Sequence, residues 1–134
     1  MQISSDLGKL VLRLTLSILI LLHGVAKISS GVGPILGLVG KAGLPPMVGY
    51  LVYVGEVVAP LLLVVGVWTR LAALVVAINM AVAVALVHTA QLEELTKNGG
   101  WALELQGFYF FTAIAVALLG AGRFSIGGES GRLN

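Results

Sequence analysis

Hydrophobic residues in this chain come in long blocks, without the alternation of strands. The first block, LVLRLTLSILILLHGVAKI from Leu10 to Ile28, is nearly unbroken and carries Arg13, Ser17, His23 and Lys27. An apolar run of this length crosses the roughly 30 Å hydrocarbon core of a bilayer as a helix. The pattern predicts four such spans, at about residues 7–29, 47–67, 69–90 and 101–119. Pro45 and Pro46 mark the start of the second. Ser30 to Leu44 is glycine-rich and apolar but too short to span, which suits an interfacial or re-entrant segment. Gly66 to Thr69 is a tight turn that makes the second and third spans an antiparallel hairpin. Gln91 to Gly100 is polar and loop-like, and the tail from Gly120 is glycine-rich and charged. The expected fold is all-α: an integral membrane four-helix bundle, one unit over residues 1–134.

Polar positions within the blocks carry the functional signal. Ionisable groups inside a span are costly unless they face protein or water. At about 100° per residue, Lys9, Arg13, Ser17, Gly24 and Lys27 share one face of the first helix, with His23 at its edge. In the second span Glu56 precedes Pro60 by one helical turn, so no proline N–H is offered to the Glu56 carbonyl and the helix is weakened beside its carboxylate. Unpaired, Glu56 would be driven neutral by desolvation; beside Lys27 or a protonated His23 it would stay charged. A purely structural alternative is an ion pair that pins the first helix to the second.

Depth along the helices separates two polar layers. His23, Glu56 and Asn79 each fall roughly 15–20 Å from the end that carries the termini, given the ~1.5 Å rise of a helix. His88 falls near the opposite end, level with Trp101 and Glu104. Arg70 and His88 share a face with Ala73, Ala77, Ala81 and Ala85, a small-residue stripe suited to close helix packing. Asn79 lies on the other side of that helix, which points it at a different helix pair or a second subunit. Gln106 likewise opposes Glu104 on the fourth helix, and both observations suggest a homo-oligomer or a partner protein. Tyr53 shares the face of Glu56, and Phe108 to Phe111 either flank a flat ring ligand or face lipid and core.

Composition narrows the class. The chain has 134 residues, 58% hydrophobic and 10% charged, with mean hydropathy +1.05. Soluble domains carry about 25% charged residues, so this is a membrane protein. The net charge of +2 is spread over loops and helix ends, with no clustered basic face for nucleic acid. There is no cysteine, so no thiol chemistry resides in the chain. Lys9 precedes the first block without a small-residue cleavage site, which reads as a retained helix, not a removable signal. Lys9, Arg13, Arg70, Arg123 and Arg132 fall on one side of the four-span topology, against Lys27, Lys41 and Lys97 on the other. That bias predicts both termini in the cytoplasm.

The candidate catalytic groups are therefore Glu56 and His23. Lys27, Tyr53, Asn79, His88, Trp101 and Glu104 are candidate ligand-binding groups, and Arg13, Arg70 and Pro60 are structural. His23 and His88 could transfer protons, donate to a quinone or ligate haem. Bis-histidine haem needs both rings at one level, whereas these differ by roughly a helical turn or more, which disfavours it. Metal-ligand spacing is not present.

Several segments together resemble the DoxX family of small bacterial and archaeal membrane proteins. They are LHGVAKI (Leu22 to Ile28), the Gly55–Glu56 pair, GVWTR (Gly66 to Arg70), NMAVAVALVH (Asn79 to His88), GGWALEL (Gly99 to Leu105) and GAGRFSI (Gly120 to Ile126). The chain departs from the family pattern at Ala121, where proline is common, and at Gly127, where aspartate often stands. The resemblance implies a four-helix bundle in a prokaryotic inner membrane, linked to quinone chemistry as a subunit or partner of an oxidoreductase. It maps most naturally onto His23, Lys27, Glu56, His88 and Glu104. Two other functions stay open at this point: a non-catalytic anchor for soluble oxidoreductases, and a small-molecule transporter suggested by the interrupted second helix.

Overall fold

The computed structural model describes residues 2–88 and 92–134, with the side chains of Gln2, Pro46, Val87 and His88 excepted. It is all-helical, apart from an isolated pairing of Leu95 with Trp101. Helix α1 (Gln2–Ser30) begins before the apolar block, because Asp6 is buried against the C-terminal tail, where it accepts the Arg123 N–H at 3.4 Å. Gly31, at φ +88°, breaks it and turns the chain into the short α2 (Gly33–Lys41); Gly43, at φ +86°, closes that helix off.

The second hydrophobic block is not a regular helix. It opens as a 3-10 helix (Pro46–Leu51), becomes a π-helix (Val54–Val58) and ends as α3 (Ala59–Val65). Pro60 explains the middle segment. Without a proline N–H the ladder cannot keep its α register, and the Ala59 N–H bonds five residues back to the Val54 carbonyl. Gly66 and Trp68 adopt left-handed conformations, at φ 75° and 50°, and make the expected hairpin turn. Helix α4 (Thr69–Ala83) continues as a second π-segment (Val84–His88). The predicted end of that span, residues 89–90, lies outside the described residues.

Helix α5 (Glu104–Leu119) starts later than the expected residue 101. Trp101 is held by the loop instead: Ala102 N–H bonds to the Glu94 carbonyl at 2.9 Å and the Trp101 indole N–H to the Leu92 carbonyl at 2.8 Å. Its 16 residues reach roughly 24 Å at the ~1.5 Å helical rise. Ile3–Ser30, Met47–Val65 and Thr69–Leu86 are each long and apolar enough to cross a membrane.

The core forms where all four long elements meet. Leu16 and Ile20 of α1, Ala59 and Leu63 of α3, Ala73 and Ala77 of α4, and Ala113 and Val116 of α5 are buried together. Alanines at the α4–α5 contact let the two backbones approach closely. The predicted alanine stripe holds at Ala73 and Ala77, whereas Ala81 and Ala85 are exposed. Outward-facing Val11, Leu22, Ile78, Phe108, Phe111 and Leu118 give the bundle an apolar perimeter, as lipid contact requires.

One end of the bundle gathers the start of α1, the hairpin turn and the tail. Arg13 is buried and donates from Nη2 to the Phe124 carbonyl at 2.8 Å. Arg70 caps α5 by donating to the carbonyls of Ala117 and Leu118, at 3.1 and 2.7 Å. The Asn134 side chain accepts the Thr69 N–H at 2.9 Å, and the Asn134 carbonyl accepts the Ala121 N–H at 2.8 Å. Through these contacts Arg13 ties α1 to the tail and Arg70 ties α4 to the end of α5.

Candidate functional site

The other half of the bundle holds an apolar cavity of about 480 Å³. Its walls are the 3-10 and π stretches of the second block on one side and α4 on the other. Ile35, Leu38 and Val39 of α2 line it as well. Among the described residues, three polar side chains reach it: Lys27, Glu56 and Asn79.

Glu56 is 3% exposed, and the Lys27 ammonium donates to both its carboxylate oxygens, at 2.6 and 2.7 Å. The two groups face each other in a mostly apolar wall, where removing one partner leaves the other without its compensating charge. Asn79 adds a longer contact, Nδ2 to Oε2 at 3.4 Å. Tyr53 supports the pair from behind, donating its hydroxyl to the Lys27 carbonyl at 3.2 Å.

Glycines make this convergence feasible. A β-carbon on Gly24 would strike the Glu56 carbonyl, so α1 lies directly against the backbone of the π-segment. A β-carbon on Gly55 would sit 2.6 Å from the Asn79 side chain. The π-turn also places Gly55 and Glu56, consecutive residues, both in buried positions. The extra residue in that turn re-aims side chains that a constant helical period would spread apart.

Asn79 faces the second block, a different helix pair from the α4–α5 alanine seam, which is one of the two alternatives its position leaves open. It meets Glu56 of its own chain across Gly55, and so gives no support to an oligomer. His23 is not part of the cluster. It is exposed on α1, one turn before Lys27, with its ring edge-on to Tyr109 of α5 at a centroid distance of 5.9 Å. The structure therefore separates Glu56 from His23, because the buried face of α1 runs through Arg13, Ser17, Ile20 and Gly24 and leaves His23 beyond its edge. The His88 side chain lies outside the described residues.

Trp101 and Glu104 lie on a different surface, a shallow groove along α5 with Gly107, Phe108 and Phe111. The aromatic run divides there: Phe108 and Phe111 point outward and Tyr109 inward, so none of them flanks the cavity. Pro60 is buried below the π-segment and sets its register. Among the described residues, no three His, Cys, Asp or Glu side chains cluster as metal ligands would.

The sequence leaves Ser30 to Leu44 as an interfacial or re-entrant segment; in the structure its α2 roofs the cavity, and the apolar spacing of Ile35, Leu38 and Val39 is the signal that one face of it packs inward.

Comparison with curated proteins and with solved structures gave no match. A family model, DoxX, matches residues 8–89, the stretch that runs from α1 through the hairpin and contains Lys27, Glu56 and Asn79. That match spans more than half of the sequence, and the chain is a membrane protein of the DoxX family.

Proposed function

We propose that this protein is a quinone-linked component of a prokaryotic inner membrane, working with a partner oxidoreductase. The observation that carries the reading is the Lys27–Glu56 pair in the wall of an otherwise apolar cavity. A quinone head group is flat, apolar in its body and hydrogen-bonding only at its oxygens, which matches such a wall. Lys27 and Asn79 can donate to a ring oxygen, and Glu56 can hold or release a proton beside it. The bound quinone would supply the redox chemistry. The chain binds and orients it, excludes water and manages its proton, while electrons come from or go to the partner. The bundle crosses the membrane four times in this reading, with α5 as the shortest span and both termini in the cytoplasm, as the Arg and Lys distribution favours.

The test is quinone binding to purified wild type, Glu56→Gln and Lys27→Met. Weaker binding in both variants, with the bundle still folded, supports the assignment. Equal binding in all three, or none in any, removes it. A pair that only pins α1 to the second span would lower stability without moving binding.

A further inference from the structure

The cavity's walls and roof say from where a ligand reaches it. The second block and α4 touch at the Gly55–Asn79 contact and carry the cavity between them beyond it, toward Leu51 and Val82. The roof over that gap is α2, which packs on the 3-10 segment and on the π end of α4 and presents Ile35 and Leu38 to the cavity. Among the described residues, nothing polar lines this end. By contrast, six apolar residues that line the cavity are also exposed: Leu44 at 48%, Val48 at 38%, Leu51 at 61%, Val54 at 42%, Ile78 at 61% and Val82 at 48%. Five of the six, all but Leu44, belong to the stretches Met47–Val65 and Thr69–Leu86, which are apolar enough to lie among acyl chains.

From this we infer that the site opens sideways into the bilayer, between the 3-10/π stretch and α4, and takes a membrane-dissolved amphiphile whose apolar chain stays in the gap. The inference deepens the quinone reading and rests on the cavity being the ligand site. It assigns the substrate class as long-chain, isoprenoid-type quinones, with the head group at Lys27, Glu56 and Asn79. Lipid tails are as apolar as the gap, so the chain adds little affinity of its own. Its signature is exclusion: filling the gap must reject ligands that carry a chain and spare those that do not.

The experiment uses the full chain in lipid nanodiscs. Two probes are compared, a ubiquinone with a long isoprenoid chain and the same methoxylated benzoquinone ring without a chain. Ile78→Trp and Val82→Trp fill the gap from its lipid-facing rim, where added bulk leaves the core alone. Both should weaken long-chain binding by at least about tenfold and change binding of the bare ring by less than about twofold, a tenfold loss being a readily resolved shift in Kd. Equal loss of both ligands, or of neither, overturns the inference.

A second arm is independent of quinone. The chain has no cysteine, so Val75→Cys and Ala83→Cys each place a single thiol on the inner wall. A membrane-soluble maleimide should label it, a charged thiosulfonate should not, and Ile78→Trp should slow the labelling several-fold. Labelling by the charged reagent would show a water-facing mouth and overturn the sideways opening. Lipid-only labelling without quinone binding in any variant would retain the opening and reject the quinone.

Discussion

Gly55 and Asn79 interlock: the absent side chain of one is the space occupied by the other. Asn79 reaches the Glu56 carboxylate only because the π-segment presents a bare Cα to α4 at that level. Gly55→Ala should therefore act through Asn79. The added methyl meets its Cβ, Cγ and Oδ1, and overpacking of this kind costs about 1–3 kcal/mol. Asn79→Ala frees the space, so the double variant should be less destabilised than the two singles added together. Unfolding in mixed micelles measures both; strict additivity would break the proposed coupling.

Gly24→Ala should be worse. Here the obstruction is the Glu56 carbonyl and the Val57 side chain, and backbone cannot swing aside as an amide side chain can. The expected cost is at the upper end of the overpacking range, about 3 kcal/mol or more, with the Lys27–Glu56 pair disturbed as well. A stability equal to wild type would mean that α1 does not lie against the π-segment at Gly24.

The ion pair should break asymmetrically. Lys27 keeps 31% of its side chain exposed and can retract toward the membrane surface, while Glu56 keeps 3%. Lys27→Met strands a buried carboxylate, a loss of about 3–5 kcal/mol. Glu56→Gln strands only the mobile ammonium and should cost clearly less. Replacing both, as Lys27→Met with Glu56→Leu, should recover most of the loss while abolishing quinone binding. Denaturation midpoints of the three variants check the order.

Ala121→Pro should loosen the tail. The Ala121 N–H donates to the Asn134 carbonyl at 2.8 Å, a bond that proline cannot make. Losing it should cost about 1 kcal/mol and speed hydrogen exchange at Thr69 and Arg70, whose amides bond to Asn134 and to Leu133. Gly127→Asp should add to this, since its β-carbon would lie 2.6 Å from the Asn134 amide and 2.7 Å from the Gly66 carbonyl. The two departures from the family pattern thus belong to one tail arrangement built around Asn134. Unchanged exchange at Thr69 would disprove that link.

Much of this architecture could be read from the residues in order. Apolar block length, with Gly66 and Thr69 between the second and third, settles that the chain is helical, membrane-embedded and folded as a hairpin there. Helical period along α1 correctly puts Arg13, Ser17 and Gly24 on a buried face, because that helix keeps one α register throughout. Pro60 correctly marks an irregular second helix beside Glu56. Period counting failed to find the partner of Asn79, since the π-turn adds a residue and rotates what precedes it. It also left Glu56 undecided between two neighbours, Lys27 and His23. Only packing in three dimensions resolved those cases: Lys27, rather than His23, pairs with Glu56, Asn79 meets Glu56 through the gap at Gly55, and α2 folds back as the roof. Local sequence dictates which way a regular helix presents its polar groups, whereas which neighbour they meet depends on how closely the helices approach, and here the glycine-bearing contacts at Gly24 and Gly55 and one displaced hydrogen-bond ladder decide that.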